Sequence, residues 1–238
     1  LGAGRIEVAM TTSFDALLHE HVGKLIKTSK LAILIELALA TSLCFARIFP
    51  FSVQLLLLAF ASLSLWLRDL RWSDVGLRKP ASWWKVVLLA MLSAVAICVV
   101  VNLLAAPVVE RLAGHSPGNA RFENVRGNLP ALIGWLSVAW TLAAFAEEMI
   151  FRAYFMNRIF DLLGNGWAAW LSALLLSSVL FGAGHGFQGL AVAIGSAEIG
   201  LLLGVMYLVN RRNLWMNIFC HGFIDSISLT TLYFSTAT

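Results

Sequence analysis

The sequence predicts an all-α fold: a polytopic helical membrane protein of seven to eight transmembrane helices, preceded by an interfacial amphipathic helix. Three observations predict it. Hydrophobic residues make up 60% of the 238 and charged residues only 13%, about half the charged share usual in a soluble domain. Nine Trp and fifteen Phe suit interfaces and lipid-facing surfaces. The apolar residues also fall into long runs, and about 20 such residues are what a helix needs to cross a hydrocarbon core.

Residues 12–28 open the chain with Phe14, Leu17, Leu18, Val22, Leu25 and Ile26 at helical spacing, and with Lys24, Lys27 and Lys30 crowded at the far end. That pattern predicts a helix lying in the headgroup region or, equally well, one packed on the rest of the protein. Residues 1–30 therefore form an N-terminal amphipathic segment and 31–238 a single transmembrane domain. No short apolar run is followed by a cleavage site, so no removable signal peptide is expected. Seven apolar segments follow, at 31–49, 51–67, 83–109, 129–150, 167–184, 188–209 and 213–234. Only Pro50 separates the first pair, and Arg47 sits near the join. The polar stretch from Glu110 to Asn128 is the longest expected loop.

Orientation follows from the basic residues. With the N-terminus in the cytoplasm and one crossing per segment, thirteen of the 17 Lys and Arg fall inside and four, Arg47, Arg111, Arg121 and Arg126, outside. This bias predicts an N-in, multi-pass topology. The net charge of +4 forms no basic stripe, which argues against nucleic acid as a partner. Cys44, Cys98 and Cys220 all lie inside apolar segments without C-x-x-C spacing, and predict neither a disulfide framework nor a zinc knuckle.

A charge near the bilayer centre costs at least ~2.5 kcal/mol, so ionisable residues inside spans need a reason. Four places stand out: Glu147-Glu148 with Arg152, His185 after Phe181, Glu198, and His221 with Asp225. On a helix, Glu148 and Arg152 are four apart with the acid first, the favourable order. Glu147 points about 100° away and lacks that partner. The expected division of labour has Arg152 holding Glu148 ionised, which leaves Glu147 free to act as a base towards water. His221 and Asp225 also share a face, and the carboxylate can orient the imidazole and favour its protonated form. Taken singly, each cluster also fits a structural role: a juxtamembrane charge cluster, a polar pair joining two helices, a lone structural His. Glu198 sits among Gly195, Ser196, Gly200 and Gly204, which predicts tight helix packing around a neutral hydrogen-bonding acid.

Three motifs occur in order on successive apolar segments: Glu147-Glu148-x-x-x-Arg152, Phe181-x-x-x-His185 and His221-x-x-x-Asp225. This set resembles the CAAX prenyl endopeptidase and bacteriocin-processing (CPBP) family. Val75-Gly76-Leu77-Arg78-Lys79-Pro80 is similar to the G-L-R-x-P element that often precedes the family core, so the resemblance covers about residues 72–234. It implies an α-helical intramembrane protease of the glutamate type, working without metal or other cofactor. In that reading Glu147 and His185 activate water, His221 and Asp225 stabilise the oxyanion, and Glu148 and Arg152 support them. One departure stands out. The eukaryotic CAAX-processing branch has Asn where this chain has Asp225, and an ionised Asp would repel an oxyanion.

The function expected is hydrolysis of a peptide bond in a membrane-anchored or hydrophobic peptide, possibly a prenylated one, by a multi-pass protein whose compact length resembles prokaryotic members. Two alternatives stand beside it. One is a zinc-dependent protease using Glu147, His185 and His221, although no H-E-x-x-H motif is present. The other is a non-catalytic membrane immunity or scaffold protein. A transporter is more distant, since no paired broken-helix repeat is seen. Depth poses a difficulty. Counted along their segments, Glu147 lies near the inner end of one span and His185 near the outer end of the next. Both adjustments are therefore expected: the Glu-bearing helix runs on towards Phe160, and the His185 helix tilts or breaks at its glycines.

Overall fold

The computed structural model describes residue 27 and residues 29–46, 52–114 and 120–235. The amphipathic helix expected over 12–28 and the join at Pro50 lie outside the described residues. Among those described, all regular secondary structure is helical, with no strand.

The helices are α1 (Lys30–Cys44), α2 (Ser52–Leu67), α3 (Trp83–Val100) and α4 (Ala106–Ala113), the last two joined by a π-helical turn. After a 3-10 turn at Ala120–Val125 come α5 (Leu129–Val138), two π-helical segments (Ala139–Glu147 and Met149–Met156) and α6 (Asn157–Leu163), which together form one continuous helix of 35 residues. The chain closes with α7 (Trp167–Gly184), α8 (Leu190–Val209) and α9 (Leu214–Phe234).

Among the described residues, four helices are long and apolar enough to cross a membrane: Trp83–Leu103, Leu129–Leu163, Trp167–Gly184 and Leu190–Val209. The protein is thus a helical integral membrane protein. The remaining expected spans differ for physical reasons. α1 and α2 have 15 and 16 residues, short of the ~20 a straight crossing needs. α9 has 21 residues, but Asn217, His221 and Asp225 dilute its apolar character. On α3, Leu88, Leu92, Val95 and Val99 are exposed, as befits a helix that faces lipid.

The 35-residue helix is the axis of the bundle. Every residue from Met149 to Met156 is buried, because α1, α2, α7, α8 and α9 surround this stretch. Its start is set locally: the Asn128 side chain accepts from the Ala131 N–H at 3.2 Å, with Pro130 in the first turn. Gly164 and Gly166, at φ +103° and +99°, then turn the chain back into α7, a conformation costly for other residues.

α7 and α8 approach closely through small residues. A Cβ at Gly182 would stand 2.4 Å from the Ala193 carbonyl oxygen, and one at Gly204 would stand 2.4 Å from Leu174. Gly200 faces the Phe181 ring. The packing expected around Glu198 is therefore present at Gly200 and Gly204. Gly195 instead faces open space.

The Gly76-Leu77-Arg78 stretch is a clip on the α8–α9 turn. The Leu214 N–H donates to the Gly76 carbonyl at 2.9 Å, Arg78 donates to the Arg211 carbonyl at 2.7 Å, and Tyr207 donates its hydroxyl to the Val75 carbonyl at 2.8 Å. Gly76 takes φ +123°, and a Cβ there would meet the Arg212 carbonyl oxygen at 2.4 Å.

Candidate active site

Both glutamates lie where the axial helix changes its winding. Glu147 ends the first π segment and Glu148 separates it from the second. Bonds from residue i to i+5 widen such a turn, a distortion frequent at functional sites. The depth difficulty disappears with the helix length. Glu147 is 16 residues before the end of the axial helix and His185 is 18 residues after the start of α7, so from the shared turn both stand at roughly 24–27 Å. The helix does run on past Phe160, as expected, and α7 ends at Gly184 beside His185.

Glu148 is fully buried and surrounded by donors. Arg152 Nη1 forms an ion pair with Oε1 at 2.9 Å. His221 Nδ1 lies 2.9 Å from the same oxygen, and Asn217 Nδ2 donates to Oε2 at 3.2 Å. Arg152, itself buried, also donates through Nη2 to the Gly200 carbonyl at 3.1 Å and stacks over the Phe181 ring at 4.8 Å. A buried carboxylate survives only when its charge is matched and its lone pairs are used, and both conditions are met here.

α9 supplies the facing stripe. Asn217, His221 and Asp225 follow at intervals of four and so share one side of the helix. Asn217 is wholly buried and also donates to the Leu203 carbonyl at 2.7 Å. Since a carboxylate only accepts, His221 carries its proton on Nδ1. Its Nε2 then faces Asp225 Oδ2 at 3.8 Å, too far for a direct hydrogen bond. The absence of a side chain at Gly222 admits Trp140, whose ring carbons would stand 2.7 Å from a Cβ there. Trp140 Nε1 in turn donates to Ser226 at 3.1 Å.

His185 caps α7. Its Nδ1–H donates to the Phe181 carbonyl at 2.8 Å, and the two rings pack at 4.8 Å. This explains the F-x-x-x-H spacing: the imidazole satisfies a carbonyl that the ending helix leaves open. The bond also fixes the tautomer, leaving Nε2 as the acceptor nitrogen. Glu147 is buried, 7% exposed, yet its carboxylate makes no hydrogen bond or ion pair among the described residues. Asp225 lies within Coulombic range of Glu147, His185 and His221 together. Glu148, Arg152 and His221 are thus joined directly, and Asp225 lies beside His221. Glu198 stays apart from them: its Oε2 is buried with no hydrogen-bond partner among the described residues.

Two features escape a reading of the sequence by motif. Asn217 belongs to the α9 stripe, and its position four residues before His221 was the available signal. Glu36 is a further, half-buried acid inside an apolar run. It accepts from Ser64 of α2, from Arg68 just beyond that helix and, at 2.9 Å, from the Tyr154 hydroxyl of the axial helix. Among the described residues no group of three or more His, Cys, Asp or Glu is arranged to hold a metal ion.

A bundle of apolar helices around a buried carboxylate–guanidinium–imidazole cluster defines an integral membrane protein with an ionised polar core. Residues 129–227 match the family model of the Rce1-like type II CAAX prenyl endopeptidases, the family that the three motifs resemble. The matched stretch runs from the start of α5 into α9 and contains Glu147, Glu148, Arg152, His185, His221 and Asp225. This part of the chain is therefore similar to the Rce1-like family, which is one of proteases. Neither a curated protein nor a solved structure matches the chain significantly.

Proposed function

We propose that the protein is an intramembrane endopeptidase of the glutamate type, cleaving a peptide bond in a membrane-anchored or hydrophobic peptide. One observation carries this reading. Arg152, Asn217 and His221 all engage the Glu148 carboxylate, whereas the Glu147 carboxylate and Nε2 of His185 make no hydrogen bond or ion pair among the described residues. Two basic atoms left open in a polar core suit the activation of water.

In the proposed reaction Glu147, aided by His185 Nε2, takes a proton from water as its oxygen adds to the scissile carbonyl carbon. The oxyanion forms against the Nε2–H of His221 in its doubly protonated form, whose Nδ1–H is held by Glu148. The carbon–nitrogen bond then breaks, and the amine leaves with the proton returned by Glu147. Donors fixed in advance are the usual source of oxyanion stabilisation. Asp225 orients His221 from the far side. Seven to eight crossings, with the N-terminus in the cytoplasm, complete the arrangement.

The test is an assay of purified protein on a library of hydrophobic and prenylated peptides, comparing wild type with Glu147→Ala. Cleavage by wild type alone supports the reading. Equal cleavage by both, or by neither, counts against it.

A further inference from the structure

At the end of the bundle opposite the Ala120–Val125 turn, α7 and α8 diverge around a groove of about 520 Å³. Trp167, Trp170 and Leu171 line it from α7. Leu208, Arg211 and Arg212 line it from the end of α8 and the turn that follows. Leu174 forms the floor, seated against Gly204 where no side chain intervenes. The lining contains two guanidinium groups and no acid. Asp161, on the neighbouring α6, is ion-paired with Arg158 at 2.7 Å.

The two arginines are held unusually. Both adopt left-handed backbone, with φ of +51° and +59°, which is uncommon outside glycine and typical of positions the surroundings over-determine. The Arg212 N–H donates to the Tyr207 carbonyl at 2.7 Å and Arg78 donates to the Arg211 carbonyl at 2.7 Å, fixing the turn. The Arg212 guanidinium lies over the Trp170 ring at 5.2 Å and donates to Asn157 at 3.1 Å, both neutral groups. The Arg211 guanidinium makes no hydrogen bond or ion pair among the described residues and is exposed. Trp167 beside it is 78% exposed, as suits a ring at a membrane–water interface.

We infer that this groove binds one anionic phospholipid, its headgroup phosphate between Arg211 and Arg212 and an acyl chain along Leu171, Leu174 and Leu208. The combination is specific in chemical terms. A paired positive charge selects a phosphate without a compensating amine, and the apolar floor leading from it into the bundle selects the attached chain. Basic pockets between helices at a membrane surface bind anionic headgroups for this reason. The site stands apart from Glu147 and His185 and does not depend on the reaction proposed for them.

The full-length protein, delipidated in neutral detergent, is titrated with phosphatidylglycerol or phosphatidylcholine, and bound lipid is counted by native mass spectrometry. The expected result is one retained phosphatidylglycerol and markedly weaker phosphatidylcholine. R211A should weaken phosphatidylglycerol roughly fivefold, the effect of one basic side chain near an anionic headgroup, and R211E should weaken it further. The Arg211 side chain holds nothing else in the described fold, so an unchanged thermal midpoint is expected to accompany the loss. Glycerol 3-phosphate in the same titration separates a lipid site from a free-phosphate site. Equal binding of the two lipids, unchanged affinity in R211A, or competition by glycerol 3-phosphate at matched concentration would each overturn the inference.

Discussion

Nδ1 of His221 stands 2.9 Å from Oε1 of Glu148, so α9 meets the axial helix through a buried imidazole–carboxylate contact. Because the same oxygen also pairs with Arg152 at 2.9 Å, position and charge of the imidazole are set by two helices at once. This contact links the residues read as supporting to one read as oxyanion-stabilising.

Removing one side of that cluster leaves an uncompensated buried charge. Glu148→Ala or Arg152→Ala should each destabilise the protein by about 3–5 kcal/mol. Thermal unfolding in detergent measures the loss. A variant with Arg152→Lys should recover only part of it, since an ammonium cannot reach Glu148 and the Gly200 carbonyl in one plane. Full stability in both Ala variants would refute the proposed pairing.

Glu147 presents the contrasting case. Its carboxylate makes no hydrogen bond or ion pair among the described residues, so Glu147→Gln should leave the thermal midpoint near wild type. Proteolysis should fall by about 10²–10⁴, the usual contribution of a general base. Single-turnover cleavage of a responsive peptide gives the number, and a variant within threefold of wild type would remove Glu147 from the mechanism.

Asp225 lies 3.8 Å from Nε2 of His221, close enough to orient the ring but too far to hold it by a direct bond. Asp225→Asn should therefore keep measurable proteolysis while Glu147→Ala abolishes it. An inactive Asn variant beside an active Glu147→Ala would reverse the two assignments.

Chelation separates the glutamate reading from the zinc alternative. Activity should persist after dialysis against a strong chelator, with no recovery needed from added Zn²⁺. Loss on chelation and return with zinc would favour the metalloprotease.

Gly222 tests how closely α9 must approach the axial helix. A Cβ there would stand 2.7 Å from the Trp140 ring, so Gly222→Ala should cost about 1–3 kcal/mol through overpacking. It should also lower activity by shifting His221. Relief in a Gly222→Ala, Trp140→Leu double variant would identify the clash as the cause, and an additive loss would not.

The sequence by itself determined the membrane class, since apolar runs of crossing length depend on no tertiary contact. It also determined the i, i+4 pair of Glu148 and Arg152, because helical phase places both on one face whatever surrounds them. The three motifs named the six candidate site residues. Tertiary structure decided the rest. The extension of the axial helix to Leu163 brings Glu147 level with His185 along the bundle. The partner of Nδ1 on His221 is an acid 73 positions away, and no local spacing encodes a contact between α9 and the axial helix. Asn217 and Glu36 were written in the chain as polar residues inside apolar runs. Their roles were fixed only when neighbouring helices brought Glu148, Arg68 and Tyr154 within hydrogen-bond reach.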